Sequence, residues 1–147
     1  MTVRSAIIPV LRYSDAPAAI DFLCKAFGFA RHAVYADPGD SRRIAHAELT
    51  RDGQMIMLSS ALPTAFAEAA GMRTPAETGA VTQSIYVVLD DVDGHAATAS
   101  AAGAEIFMQP EDQPQGGRSY SARDGEGNAW TFGSYDPFAK AAGAGSC

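Results

Sequence analysis

Hydrophobic residues recur at two different spacings in the first half of the chain, and these spacings predict a strand, a helix and three further strands. A short apolar run at 7–13 predicts the first strand. Apolar residues at helical spacing follow it, namely Ile20, Leu23, Cys24 and Phe27. Asp15 is a capping residue before this helix, and Gly28 is a typical helix end. Strands are then predicted at 33–36 and 43–49, and a closing strand follows the turn Arg51-Asp52-Gly53.

The second half repeats this order of elements. A strand at 84–89 precedes the capping residue Asp91 and a helix over 92–102, and strands follow at 105–108 and 118–122. The turn letters recur as Arg123-Asp124-Gly125 before another closing strand. The repeat predicts an α+β fold of two tandem β-α-β-β-β modules, at 1–60 and 81–135. The connection at 61–80 has room for a helical turn at 65–70. Residues 136–147 are the C-terminal tail, and its part after Phe138 is predicted to be frayed.

Composition excludes several classes of function. The chain has 147 residues, of which 47% are hydrophobic, so it can bury one sizeable core. Its net charge of −6 lacks the positive field that nucleic-acid binding requires. We therefore expect no nucleic-acid partner, no membrane span and a cytoplasmic location. The two cysteines, Cys24 and Cys147, form no disulfide framework, and Cys24 is predicted to be a small core residue.

Several motifs in this order resemble a known family. They are the Asp-capped helix ending in Phe27-Gly28, the segment His46-Ala-Glu-Leu, and the late Asp124-x-x-Gly-Asn-x-Trp130 signature. Over residues 5–135 the chain resembles the vicinal oxygen chelate superfamily of glyoxalases, bleomycin-resistance proteins and dioxygenases, closest to its small bacterial glyoxalase-like branch. The resemblance implies curled mixed sheets around a cup, a homodimer, and in the metalloenzymes of the family a divalent ion bound in the cup.

The metal-ligand positions implied by the resemblance fall on residues that are poor ligands. They correspond to Ile8, Met57, Ser84 and Thr131. A divalent ion needs several converging imidazole, carboxylate or amide side chains, and none of these four supplies one. We therefore expect no metal and no other cofactor.

Strand periodicity predicts which side chains line the cup. Residues in phase with the implied ligand positions share one face of each sheet. The residues out of phase, which are expected to pack beneath the helices, are Ile7, Leu11, Tyr13, Ile56, Leu58, Ile85, Val87, Leu89, Trp130 and Phe132. The ligand-binding candidates in phase are Arg12, Met55, Met57, Ser84, Tyr86 and Thr131. Methionines, hydroxyls and one arginine suit a small organic molecule that carries an anionic group.

Three further residues are candidates for catalysis. His46 and Glu48 are two apart on a predicted strand, so they share a face and can form an acid/base pair. Tyr120, on the strand before the second turn, is a third candidate that can face the cup. We expect His32 and His95 to be surface residues.

The sequence leaves three functions open. The first is a metal-free cup that binds a small organic ligand. The second is a lyase, an isomerase or another member of the superfamily without the usual metal ligands, with an active site rebuilt from His46 and Glu48. The third is a non-catalytic dimeric interaction module, in which side chains would fill the cup.

Overall fold

The computed structural model describes residues 2–139 and contains the two predicted modules. The first module consists of β1 (Val10–Tyr13), α1 (Ala16–Phe27), β2 (Ala30–Asp37), β3 (Asp40–Arg51) and β4 (Gln54–Ser60). Two short helices, α2 (Ala65–Ala70) and α3 (Pro75–Thr78), lie in the connection. The second module consists of β5 (Ser84–Val88), α4 (Val92–Ala101), β6 (Glu105–Asp112), β7 (Arg118–Arg123) and β8 (Ala129–Gly133). The prediction for 140–147, including Cys147, lies outside the described residues.

Each module forms one four-stranded mixed sheet, and the two sheets have the same topology. Their strand orders are β1-β4-β3-β2 and β5-β8-β7-β6. The first strand of each module pairs in parallel with the last, and the remaining neighbours are antiparallel. Neither sheet closes into a barrel. The predicted α+β fold is confirmed. The observed β2, β3 and β6 extend beyond their predicted ends, because they continue into turn-rich segments that the pattern favoured as loops.

Local sequence fixes the ends of α1 as predicted. The Asp15 carboxylate accepts a hydrogen bond from the backbone N–H of Ala18 at 3.1 Å, which satisfies one donor of the first turn. Gly28 ends the helix in the left-handed conformation, with φ of 82°, and its N–H donates to the carbonyl of Leu23. Cys24 is only partly buried at the edge of the core. Cys24, predicted to be a small core residue, thus packs against the core from its edge.

The two Arg-Asp-Gly segments form different turns although their letters are identical. Asp52 and Gly53 both have positive φ, of 46° and 77°, and they join the paired residues Arg51 and Gln54 in a two-residue hairpin turn. The second turn is longer, and the Asp124 carboxylate accepts the backbone N–H groups of Glu126 and Asn128. Both turns lead into the closing strand of their module, as predicted.

One hydrophobic core joins the two modules. Phe27 of α1 contacts Trp130 and Phe132 of the second sheet, with ring centroids 5.3 and 4.7 Å away. The buried faces of both sheets thus share this core, and their other faces point away from it. Ile7 was predicted to pack beneath the helices, but this was wrong: it is 99% exposed, because β1 begins only at Val10.

Candidate functional site

The face of each sheet opposite the helices carries the residues predicted to line a cup, and we call it the open face. In β4, Met55 and Met57 are partly exposed, while Ile56 and Leu58 between and after them are buried. In β5, Ser84 and Tyr86 are exposed, and in β8 Thr131 lies between the buried Trp130 and Phe132. The predicted alternation of faces is confirmed at these strands.

Four of the six ligand-binding candidates line one or the other of two clefts. Arg12 and Ser84 line a cavity of about 350 Å³, here named the Arg12 cavity, together with Val10, Arg73, Gln83 and Ile85. Met55 and Tyr86 line a second cleft of about 450 Å³, here named the Met55 cleft, with Ile7, Pro9, Val88 and Phe138. Met57 and Thr131 line neither space. Binding by any of these residues stays a prediction.

Arg12 occupies an unusual position in its cavity. Its neighbours Leu11 and Tyr13 are buried on the helix side of β1, so the Arg12 side chain lies on the open face. The Arg12 Nε is buried and has no hydrogen-bond partner within residues 2–139. A buried donor without a partner is costly, and because the protein leaves hydrogen-bonding capacity of this guanidinium unused, Arg12 is a candidate to bind a ligand.

Tyr86 is oriented by its own hydrogen bond in the Met55 cleft. Its hydroxyl donates to the carbonyl of Tyr135 at 2.8 Å. Partial burial raises the pKa of the Tyr86 phenol, so the group is a neutral donor at physiological pH. Tyr86 therefore offers this cleft an aromatic face and not a negative charge.

The positions implied for metal ligands do not fit a divalent ion. Ile8 and Met57 offer an alkyl group and a thioether, and the hydroxyl oxygen of Thr131 lies 2.7 Å from that of Ser121. A protein site for a hard or borderline ion needs several converging imidazole, carboxylate or amide side chains, which this set lacks. Across residues 2–139, the structure contains no group of three or more His, Cys, Asp or Glu side chains that could hold a metal ion.

His46 and Glu48 form a contact pair on the open face of the first sheet. The His46 Nε2 lies 2.9 Å from a Glu48 carboxylate oxygen, and the His32 Nε2 lies 3.9 Å from the other. Glu48 is the direct neighbour of Met57 across β3 and β4, so the pair shares the face of the methionines. The ring of Tyr35 stacks on His46 at 6.1 Å between centroids. His32 is exposed, as predicted.

Tyr120 and His95 have positions that differ from the predictions. Tyr120 is 1% exposed and faces the shared core, so the expectation that it faces the cup is wrong. His95 was expected at the surface, but its Nδ1 lies 2.6 Å from the Tyr120 hydroxyl and its Nε2 lies 3.0 Å from the carbonyl of Phe27. Burial lowers the pKa of His95 and raises that of Tyr120 well above its ordinary value. His95 joins the two modules through its contact with Phe27, and neither His95 nor Tyr120 lines the open face.

Sequence reasoning also missed the role of Asp124. This buried carboxylate accepts hydrogen bonds from the Tyr13 hydroxyl at 2.6 Å and from the Trp130 indole at 3.1 Å. Tyr13 belongs to the first module, so Asp124 links β1 to the turn that precedes β8. The predicted phase of Tyr13 pointed to the core, but the alternation of faces does not identify a partner 111 residues away.

The described residues contain no helix that is long and apolar enough to cross a membrane.

Comparison with known proteins identifies the family. Residues 7–132 match the model of the Glyoxalase/Bleomycin resistance protein/Dioxygenase superfamily, and the chain belongs to this family. An uncharacterized protein of Mycobacterium bovis is 32% identical over 135 residues, which cover 90% of this chain and 85% of that protein.

Solved structures agree with this assignment. The crystal structure of TioX from Micromonospora sp. ML1 is 32% identical and has a TM-score of 0.67, covering 88% of this chain and 94% of that one. A glyoxalase-related enzyme from Fulvimarina pelagi has a TM-score of 0.62 over 89% of this chain and 88% of its own. Its identity of 19% makes it a match of fold alone.

Proposed function

We propose that this protein binds a small organic molecule on its open faces without a metal ion. The observation that carries the proposal is the donor set at the four implied ligand positions, which comprises an alkyl group, a thioether and two hydroxyls. The Arg12 cavity and the Met55 cleft supply space of the size that small-molecule sites use, about 300–1,000 Å³. Methionine and tyrosine side chains offer apolar and aromatic contact to such a ligand.

We propose further that two copies of the chain associate and cover the open faces. Val10, Tyr86 and Val88 are between 41% and 47% exposed on these faces, which leaves apolar surface for a second copy to bury. We expect such a homodimer in the cytoplasm.

Native mass spectrometry tests the ligand-binding proposal. The protein is isolated under non-denaturing conditions without added ligand, and its mass is compared before and after acid denaturation. We expect a dimer that releases a small organic molecule on denaturation and carries no stoichiometric metal. One divalent ion per chain, lost with a chelator, would contradict the proposal.

A second candidate function is acid/base catalysis by His46 and Glu48. The distance of 2.9 Å between their side chains and their position on the open face support it. Such a pair can remove a proton next to a carbonyl group, because the carboxylate and imidazole can share the proton that is taken up.

Deuterium incorporation tests this second candidate. Hydroxyacetone is incubated with the protein in D₂O, and exchange at carbon is followed by NMR. We expect Glu48→Gln and His46→Gln to lose the catalysed exchange, whereas Glu68→Gln, an exposed change in α2, retains it. Equal exchange in all variants would exclude the pair as the catalytic base.

The interaction-module alternative stays a prediction. It requires a filled cup, and the two clefts of about 350 and 450 Å³ support ligand binding over it.

A further inference from the structure

The Arg12 cavity concentrates positive charge in an acidic protein. Two arginines, Arg12 and Arg73, line it, and none of its lining residues among residues 2–139 carries a carboxylate. The whole chain carries a net charge of −6, so this local balance is opposite to that of the rest of the molecule. A cavity with cationic walls raises the local concentration of anions.

Arg12 has hydrogen-bonding capacity that the protein does not use. Its Nε is buried without a partner, and no ion pair within residues 2–139 involves this side chain. A guanidinium has five N–H donors in a planar fork that matches the two oxygens of a carboxylate or phosphate group. An anion in the cavity would pair the charge of Arg12 and accept hydrogen bonds from its guanidinium.

Arg73 is held at the cavity by the connection between the modules. The next residue, Thr74, is 1% exposed and caps α3. Its backbone N–H donates to the Glu77 carboxylate at 3.1 Å, and its hydroxyl accepts the Glu77 N–H at 3.4 Å. This capping box fixes the backbone beside Arg73, so the second cation is carried on an ordered turn. The Arg73 Nη1 donates one hydrogen bond to the carbonyl of Met72. The other four N–H donors of its guanidinium take no part in that bond.

A second arginine with an unpaired Nε provides a contrast. The Arg51 Nε is also buried without a partner within the described range. Its cleft, however, is shared by Asp52, Asp90 and Asp91, whose carboxylates repel an anion. The lining of the Arg12 cavity lacks such groups and adds the neutral donors Gln83 and Ser84.

We propose that the Arg12 cavity binds the anionic group of a small organic acid, with the Arg12 guanidinium as its main partner and Arg73 as the second. Val10 and Ile85 provide apolar walls for the body of the molecule. The volume of about 350 Å³ suits a ligand near the small end of the usual range. This inference rests on the proposed ligand-binding function and names the chemical class of its ligand.

An NMR titration with matched probes tests the inference. Amide signals of the folded protein are followed during titration with benzoate, with inorganic phosphate and with benzamide, a neutral molecule of nearly the same shape as benzoate. We expect benzoate or phosphate to shift signals of residues 10–12 and 72–85, and benzamide to bind at least about tenfold more weakly than benzoate. Phosphate binding tighter than benzoate binding indicates a phosphate ester, and the reverse order indicates a carboxylic acid.

Arginine variants test which side chains bind the anion. Arg12→Gln is expected to weaken anion binding by about tenfold or more, and Arg73→Gln by a smaller factor. Arg43→Gln is the matched control, because it removes the same charge from an exposed position outside the cavity. Arg73 is exposed, so its variant keeps the test valid if Arg12→Gln does not fold.

Three results would overturn the inference. They are equal affinity for benzoate and benzamide, unchanged anion affinity in both cavity variants, and no anion binding with Kd tighter than on the order of 10 mM. Equal binding of benzamide at the same residues would leave the proposed small-molecule function standing. A stoichiometric metal ion would contradict that function, whatever the anion titration shows.

Discussion

The hydroxyl oxygens of Ser121 and Thr131 lie 2.7 Å apart on the open face of the second sheet. The two residues are direct neighbours across β7 and β8, and both are partly buried. Thr131 occupies a position that the family resemblance implies for a metal ligand, so a hydroxyl pair stands where a carboxylate would coordinate the ion. This implied ligand position therefore holds a neutral hydrogen bond and no carboxylate.

Removing one hydroxyl of this pair should destabilise the fold modestly. Thr131→Val keeps the shape of the side chain and leaves the Ser121 hydroxyl without its partner, so we expect the free energy of unfolding to fall by about 1 kcal/mol. Urea denaturation of Thr131→Val, Ser121→Ala and the double variant measures the coupling. We expect the double variant to lose less than the sum of the two single changes. Strictly additive losses would show that the two hydroxyls do not interact.

The hydrogen bond between Tyr13 and Asp124 should contribute more to stability than the Ser121–Thr131 pair, because it joins the two modules through a buried carboxylate. Tyr13→Phe removes the donor 2.6 Å from Asp124 and should lower the free energy of unfolding by about 1.5–3 kcal/mol. Chemical denaturation followed by Trp130 fluorescence measures this loss. Tyr35→Phe is the control, because Tyr35 is 59% exposed and should change stability by less than about 0.5 kcal/mol. Equal effects of the two variants would contradict a role for this bond in holding the modules together.

Substitution by alanine should affect the stability of the protein differently at the two turn glycines, Gly53 and Gly125. Gly53 has φ of 77°, a conformation that costs alanine about 1–2 kcal/mol, so Gly53→Ala should destabilise the protein by that amount. Gly125 has no positive φ, and a methyl group there meets no atom within 4 Å. Gly125→Ala should therefore be neutral or stabilising, by up to about 1 kcal/mol, since alanine restricts the unfolded chain. Thermal unfolding of both variants checks the contrast, and similar destabilisation in both would show that the turns are equivalent.

His95 should make stability sensitive to acid. Burial, the largest effect, holds its pKa in the folded protein below the ordinary value of about 6.5, so the unfolded chain binds a proton more readily than the folded one. The stability that neutral His95 contributes to the fold is fully present above about pH 6.5. It is lost as the pH falls through the lower pKa of His95 in the folded protein. The neighbouring charged groups are Arg51, which lowers this pKa, and Asp91, which raises it.

A variant isolates the contribution of His95 to this pH dependence. His95→Gln retains an amide donor and acceptor for Phe27 and Tyr120 but cannot titrate. Urea denaturation between pH 5 and pH 8 should show a shallower loss of stability at acidic pH in this variant than in the natural chain. Parallel curves for the two proteins would exclude His95 as the titrating group.

The sequence predicted the order of the elements and the face of most strand residues, because these depend on local periodicity. Asp15 and Gly28 marked the ends of α1, and alternation placed Met55 and Met57 on the open face, with Trp130 in the core. The same residue-level rules failed where the two modules meet. His95 has a polar side chain in a helical first turn, which locally favours a surface position, and only the packing of α1 against α4 partly buries it.

Parts of the candidate site also depended on long-range contacts. Periodicity assigned Arg12 and Ser84 to open faces of two different sheets, but it did not predict that they line one cavity or that Arg73 from the connection completes it. Tyr120 was misplaced because the loop before β7 obscured its phase, and a shift of one residue moves a side chain to the other face. The identical Arg-Asp-Gly sequences at 51–53 and 123–125 likewise do not specify the length of the turn. The second turn is longer, and the hydrogen bonds that Asp124 accepts hold it in that form.

Calorimetric titration with divalent metal ions tests the central claim most directly. The purified dimer or monomer is titrated at neutral pH with Zn²⁺, Ni²⁺ and Mn²⁺ after treatment with a chelator. The donor set at Ile8, Met57, Ser84 and Thr131 predicts no site that takes one ion per chain with Kd below about 1 μM. One tightly bound ion per chain, together with glyoxalase-like turnover that appears only when the ion is present, would contradict metal-independent binding.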